Sequence, residues 1–277
     1  MTKTLHRHKN FWQFVVIAIM LALGIIFLMP YAWMIVNSFK DKAEIMKGRS
    51  FWPEEFTLQN YVTVFTKAPI FSWFQNSVII SVSGTLIILF TSSLAGFVFA
   101  KYEFKYKQLA FWFILAMMMV PVQTTMIPSF LLIEKLGLYD SLAALIVPGM
   151  VGGFGIYLCR QFIEGIPDSL CEAASIDGAN DMYIYWHIIL PLIVPCLSAL
   201  AIFTFLERWN DYLGPLLYLS DPKRMTMPLA LSFFTDQRQS DVGAIMAAAT
   251  LVMLPVTVVF LCFQKQFIKG IAITGMK

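Results

Sequence analysis

The chain has 277 residues, of which 58% are hydrophobic and 13% charged, and its mean hydropathy is +0.71. A soluble domain carries about 25% charged residues, so this composition belongs to a polytopic membrane protein. The net charge of +3, with Lys and Arg scattered rather than gathered in a stripe, excludes nucleic acid as a partner.

A spanning helix needs about 20 predominantly apolar residues, and an Asp, Lys or Arg at its centre costs about 2.5–3.5 kcal/mol on the insertion scale. Charge-free windows are therefore the ruler. The chain opens with basic Lys3, Arg7 and Lys9, followed by residues 11–39 without a charge. That run is too long for the apolar region of a signal peptide and no small-residue cleavage site follows it, so it reads as a retained crossing. Further windows cover residues 68–100, 108–133, 141–159, 182–206 and 242–264, which makes six. Open sheet edges are not viable in lipid, so each window predicts a helix. The expected fold class is an all-α membrane protein with six transmembrane helices. Residues 212–220 are apolar but too short to cross, and are expected to re-enter or lie at the interface.

Several windows carry proline: Pro30, Pro121, Pro128, Pro148, Pro191, Pro195 and Pro255. Each removes a backbone donor and favours a kink, although membrane helices also tolerate proline when neighbours satisfy the freed groups. Small residues recur at Ser81, Ser83, Gly84, Ser92, Ser93, Ala95 and Gly96 and at Ala247, Ala248 and Ala249, a pattern that lets helices approach closely. Cys159, Cys171, Cys196 and Cys262 lack any C-x-x-C spacing and read as small buried hydrophobes, with no disulfide and no metal site. His6, His8 and His187 are too far apart in sequence to suggest a ligand set. Basic residues divide evenly between the two sides of the membrane. The dense flanks at the N-terminus, after Ala100 and at Lys265, Lys269 and Lys277 lean toward an inner location, but charge alone leaves the orientation open.

Residues 172–191, EAASIDGANDMYIYWHIILP, lie between two apolar runs. Pro167 and Asp168 open a helix, since proline fits the first turn and an acid suits its positive end. Gly178 falls where a helix C-cap needs a left-handed residue, and Asn180 can cap a second short helix. The product is a helix–turn–helix elbow outside the bilayer. It serves either as an amphipathic linker or as a surface that seats in a groove on another protein, with Glu172 forming polar contacts there.

The full spacing is specific: Glu172-Ala173-Ala174, then Gly178, then Ile188, then Leu190-Pro191. It resembles the EAA loop of binding-protein-dependent ABC importer permeases. The likeness continues through Asn76-Ser77, Ala95-Gly96, Ala100-Lys101-Tyr102, Met126-Ile127-Pro128, Gln161-Phe162 and Ile166-Pro167. Ile176-Asp177-Gly178-Ala179, Trp209-Asn210-Asp211 and a tail with Gln264, Phe267, Gly270 and Thr274-Gly275-Met276-Lys277 complete it. Together these look like the second permease subunit of the maltose-type, sugar-uptake branch; the Gly-Met-Lys end departs from the more usual Ala-Val-Lys.

The resemblance implies a type I ABC importer permease fold with cytoplasmic N- and C-termini. Residues 1–67 would hold the cytoplasmic tail, the first crossing and an outer segment. Residues 68–277 would hold a core of five crossings with the cytoplasmic coupling loop at about 160–187. It implies ATPase coupling through Glu172, Ala173, Ala174, Asp177, Gly178, Leu190 and Pro191. The implied partners are a second permease, two ATP-binding subunits that hold ATP and Mg, an extracytoplasmic sugar-binding protein and membrane lipid. The implied place is the inner or plasma membrane of a prokaryote. Nucleotide would drive the elbow, the elbow would move the crossing that begins near Ile188, and the cavity between the two permeases would switch the side it faces.

The chain carries no Gly-x-x-x-x-Gly-Lys-Ser/Thr phosphate loop, so it is expected not to be an enzyme and to hold no cofactor of its own. Mid-membrane carboxylates, which proton- or sodium-coupled carriers use, are missing from the windows, and His187 reads as an interface residue. Asn76, Ser77, Gln123, Thr124, Thr125 and Ser129 are neutral polar groups inside or beside crossings. They suit either interhelical hydrogen bonding or a path for a hydroxyl-rich solute. Trp209 and Asn210 suit a sugar-contacting lip or an interfacial anchor. A carbohydrate is the expected cargo. Glycerol phosphate, a polyol or a peptide remain alternatives, as does a membrane scaffold without transport, although a phosphate ester would want a Lys or Arg that the windows do not offer.

Overall fold

The computed structural model describes the backbone at residues 2–48, 50–235 and 241–274 and side chains at residues 12–48, 50–229, 231–235 and 241–262. The basic and histidine side chains at the N-terminus, Lys3, His6, Arg7, His8 and Lys9, lie outside the described residues. So do the side chains of Gln264, Lys265, Phe267, Lys269, Gly270 and the four residues from Thr274 onward. Among the described residues all regular structure is helical.

In chain order the helices are α1 (Thr2–Asn37), α2 (Lys42–Lys47), α3 (Gln59–Lys67), α4 (Ile70–Lys101), α5 (Lys107–Met118), α6 (Val122–Lys135), α7 (Ala143–Ile146), α8 (Gly153–Glu164), α9 (Asp168–Ile176), α10 (Asp181–Ile184), α11 (Leu190–Leu192), α12 (Val194–Trp209), α13 (Leu213–Tyr218), α14 (Met227–Thr235) and α15 (Val242–Thr274). They form two compact units, residues 1–68 with 231–253, and residues 69–230 with 254–277.

In the first unit α1 is a single long helix whose apolar stretch has no burial within the chain, as a lipid- or partner-facing surface requires. Beyond it the chain folds back on itself. Asn60 Nδ2 donates to the carbonyls of Ser38 and Lys40 at 2.9 and 2.8 Å, Ser38 and Tyr61 share a hydrogen bond of 2.8 Å, and Phe39 stacks on Phe56.

The second unit is organised on α4, which packs against α8 and α12. Two glycines set the spacing of the α4–α8 seam. A Cβ on Gly96 would lie 2.7 Å from Cys159 Cβ and 2.9 Å from the Arg160 nitrogen, and one on Gly155 would run into Ser92 Oγ. Only glycine permits this approach of two backbones. The four cysteines are free, with Cys159 and Cys196 buried.

Three helices are long and apolar enough to cross a membrane alone: Trp12–Asn37, Ile70–Lys101 and Val242–Cys262. The other three windows are bent pairs. Lys107–Met118 and Val122–Lys135 meet at 100°, Ala143–Gly149 and Gly153–Glu164 at 41°, and Asp181–Leu192 and Val194–Trp209 at 77°. Proline explains where they break. Pro121 leads out of the first break in an extended conformation, Pro148 sits in a 3-10 turn at the second, and Pro191 and Pro195 flank the third. Pro30, Pro128 and Pro255 instead lie inside continuous helices. Residues 212–220 give only the six-residue helix α13.

Candidate functional site: an exposed elbow between two helices

Pro167, with φ −58° and ψ 134°, turns the chain into α9 and places Asp168 in its first turn, where a carboxylate suits the helix dipole. The helix stops at a Schellman arrangement. Gly178 stands at φ +87°, its N–H donates to the Ser175 carbonyl at 3.1 Å, and the Ala179 N–H donates to the Ala174 carbonyl at 2.9 Å. Asn180 then caps α10, its Oδ1 accepting from the Tyr183 N–H at 2.8 Å.

The second arm leaves α10 through a π turn, Tyr185–Ile189, closed by the Leu190 N–H donating to the Tyr185 carbonyl. In α geometry the Pro191 ring would collide with the carbonyl four residues back; the wider turn relieves that contact. This arm is seated in a buried cluster in which Ile184, Tyr185, Ile189, Ile193 and Cys196 meet Phe97 of α4 and Cys159 and Ile163 of α8. Tyr185 OH and Ser93 Oγ share a buried hydrogen bond of 2.7 Å. His187 stacks on Tyr183 with ring centroids 4.1 Å apart.

The first arm is the opposite case. No residue of α9 is buried. Glu172, Ala173, Asp177 and Gly178 are exposed and Ala174 is half-buried, and Ile176 is 86% exposed. Glu172, Ser175 and Ile176 face a concavity of about 510 Å³ whose other walls are Phe97, Lys101, Tyr102, Cys171, Asp181 and Ile184. Two bonds from α4 close its back. Lys101 Nζ lies 2.6 Å from Asp168 Oδ1 and donates to the Ile166 carbonyl. The Tyr102 hydroxyl is pushed up to about 12, first by burial and then by its hydrogen bond to the Asp181 carboxylate. Burial also raises the Cys171 thiol. The structure thus gathers Glu172, Ala173, Ala174, Asp177 and Gly178 on one elbow. Leu190 and Pro191 sit on the other arm, at its bend.

The residues expected along a solute path separate. Asn76 Nδ2 donates to the carbonyls of Lys223 and Met225, both at 3.0 Å, and Ser77 Oγ accepts from the Met227 N–H at 2.8 Å, so both brace the chain that follows α13. Trp209 is 1% exposed, stacked on Phe205 and edge-on to Phe74. Asn210 is exposed and donates to the Leu206 carbonyl. Gln123 and Thr124 are exposed at the start of α6, where Thr124 Oγ1 bonds the Pro121 carbonyl at 2.7 Å.

Beside them lies a cleft of about 440 Å³ lined by Ser129, Glu207, Arg208, Asp211 and Tyr218 among apolar groups. Arg208 was missed because it falls just outside the apolar window; the signal was the Glu207-Arg208 pair directly after it. Its guanidinium is engaged, donating to the carbonyls of Leu145 at 2.9 Å and Gly149 at 2.7 Å, which satisfies the open end of the broken α7 turn. Ahead of α7, Asp140, at φ +54°, accepts from the N–H groups of Ser220 and Asp221 at 2.9 and 3.0 Å. Arg224 donates to both its carbonyl and its carboxylate. The backbone donors hold its carboxyl below the usual range.

Residues 88–273 match the family described as binding-protein-dependent transport system inner membrane component, and the chain belongs to that family. It is 33% identical over 252 residues to the arabinooligosaccharides transport system permease protein AraQ of Halalkalibacterium halodurans, covering 90% of both chains. It is 30% identical to the lactose transport system permease protein LacG of Rhizobium radiobacter, covering 98% of this chain and 97% of that one. Its fold is that of a chain in the crystal structure of a bacterial ABC transporter involved in the import of the acidic polysaccharide alginate. The TM-score is 0.84 at 23% identity, covering 94% of this chain and 98% of that one. The chain is therefore a membrane component of a transport system, and the elbow lies within the family's matched region.

Proposed function

We propose that this chain is a permease subunit of an ATP-driven importer for a carbohydrate, with six crossings, both termini in the cytoplasm, and a place in the inner or plasma membrane of a prokaryote. It forms half of the translocation path with a second permease. The elbow, through Glu172, Ala173, Ala174, Asp177 and Gly178, seats in clefts of ATP-binding subunits that hold ATP and Mg. An extracytoplasmic binding protein delivers the sugar. The single observation that carries this reading is α9: a capped helix with no fully buried residue, on an elbow whose Glu172, Ala173, Asp177 and Gly178 are exposed and whose second arm is rooted in the buried cluster. A capped helix that leaves Ile176 86% exposed presents a face fit for a partner.

The sugar reading draws on relatives named for arabinooligosaccharides and lactose. It agrees with a cleft of hydroxyls and carboxylates whose Arg208 is already taken by backbone carbonyls. A phosphate ester would meet two carboxylates there, Glu207 and Asp211, against the single cation Arg208, which argues against the glycerol phosphate alternative.

The test is co-expression with the neighbouring transport genes, reconstitution in proteoliposomes, and crosslinking from Ala173→Cys. A crosslink to a nucleotide hydrolase, together with ATP-dependent uptake of the saccharide held by the binding protein, is expected. Glu172→Lys and Gly178→Pro should abolish uptake and uncouple ATP hydrolysis while the chain still inserts. Normal uptake by both variants, or an elbow reached only by reagents outside the cell, would overturn the reading.

A further inference from the structure

Along the chain, the elbow is joined to the remainder of its unit by the end of α8 and by the π turn. The end of α4 adds connections that the chain path does not require. Lys101 is the last residue of α4, and its side chain is 7% exposed. It reaches the first arm twice, at the Asp168 carboxylate and the Ile166 carbonyl. Tyr102 and Asp181 of the second arm wall the same concavity. Between them Phe97 packs edge-on against Tyr102 at 5.3 Å and against Tyr185 at 5.7 Å, and Ser93 bonds Tyr185. One face of the last turns of α4 therefore grips both arms, since residues four apart lie on the same side of a helix.

From this geometry we infer that Lys101 and Tyr102 are positioning residues for energy coupling: a two-point latch through which displacement of the elbow is delivered to α4, in parallel with the path along α12. The inference rests on the elbow reading above and adds to it the route by which the motion enters the bundle.

Three features favour transmission over mere anchoring. The Lys101–Asp168 pair is charge-assisted and directional, and one of its members is almost buried, so the end of α4 cannot slide past α9 without leaving an ammonium unpaired. The Ser93–Tyr185 bond and the packing of Phe97 between Tyr102 and Tyr185 hold the second arm independently, so the elbow does not rotate freely about the first contact. Finally, α4 is the helix on which α8 and α12 both pack, and it carries the glycine seam to α8. A shift of α4 is therefore a shift of the unit. Coupling through such a network is established only when breaking a contact changes the coupling itself.

The experiment uses the full complex in proteoliposomes with its binding protein. The probe is whichever sugar that protein retains from a screen of arabinooligosaccharides and lactose. Lys101→Met, Tyr102→Phe and the double variant are compared for three readouts: copurification of the ATP-binding subunits, ATP turnover, and sugar imported per ATP hydrolysed. Copurification and turnover are expected to persist. The import ratio is expected to fall at least about fivefold in Lys101→Met, the lower end of typical coupling energies, and further in the double variant. Lys101→Arg, which keeps both donors, should restore it.

Tyr102→Phe removes one oxygen and retains the packing on Phe97, so it remains informative if Lys101→Met fails to assemble. An unchanged import ratio in Tyr102→Phe, and in Lys101→Met where that variant assembles, overturns the latch and leaves the docking elbow standing. Failure of the unaltered chain to copurify with any nucleotide hydrolase overturns the elbow, and the latch with it.

Discussion

Gly178 offers a perturbation whose size can be worked out from local geometry. Its φ is +87°, and a Cβ placed on it meets nothing within 4 Å. A substitution therefore costs only the left-handed backbone, about 1–2 kcal/mol for an ordinary L-residue. Asparagine tolerates that region better and should cost less. One to two kcal/mol is about a 5–30-fold change in the population of the open turn. The amides that report it are those of Gly178 and Ala179, which close the turn on Ser175 and Ala174. Hydrogen exchange in nucleotide-free complex should show these amides opening about 5–30-fold faster in Gly178→Ala, with Gly178→Asn between it and the unaltered chain. Uptake should fall in the same order. Steric exclusion from a partner's groove would reverse the ranking, because asparagine is the larger side chain. An Asn variant worse than Ala would refute the argument from backbone strain, and so would exchange unchanged in both.

Three further expectations follow from the same geometry. Asn180→Ala removes the α10 cap at a cost of about 1 kcal/mol, read as faster exchange of the Tyr183 amide. Gly96→Ala drives a Cβ against the Cys159 Cβ and the Arg160 nitrogen, and the overpacking, about 1–3 kcal/mol, should lower the melting temperature of the detergent-purified chain. The Asp140 carboxyl is held below its ordinary range by the N–H groups of Asp221 and Ser220. Its contribution is therefore complete above the ordinary carboxylate range and is lost as pH falls through the lowered value. Asp140→Asn should melt lower than the unaltered chain at pH 7, and the gap should close in strong acid.

How much of this was legible depends on whether the cause is local. Pro167, Gly178 and Asn180 act within their own turn, so the elbow could be drawn from residue types alone, and the structure shows the helix start, the left-handed Gly178 and the Asn180 cap. The apolar windows were legible as lengths but not as shapes. Pro121, Pro148 and Pro191 stand at breaks while Pro128 and Pro255 ride inside helices. Residue type alone does not separate the two cases, since proline breaks one helix and is carried by another. Trp209 looked equally suited to a lip or an anchor; Phe74, far away in sequence, buries it. Lys101 and Asp168 are 67 residues apart, and only the close α4–α8 seam brings their ends together. Arg208 was invisible as a cleft residue for the same reason, since its acceptors belong to another broken helix.

The two routes from the elbow into the bundle also differ in regularity, and the Leu-Pro that ends the EAA spacing falls on the less regular one. Between α4 and α8, Gly96 and Gly155 bring backbones into contact, and close-packed interiors transmit displacement with little loss. Along the second arm the regular hydrogen-bond ladder is interrupted repeatedly. The π turn shifts one bond to the fifth residue, Pro191 and Pro195 supply no N–H, and Ile193 sits at φ −96° and ψ 10°, outside helical values, where the 77° bend falls. A force applied at α9 therefore meets a stiff route through α4 and a compliant one through α12. Leu190 and Pro191 lie on the second arm, apart from Glu172 on α9. They stand just ahead of Ile193, where the 77° bend falls.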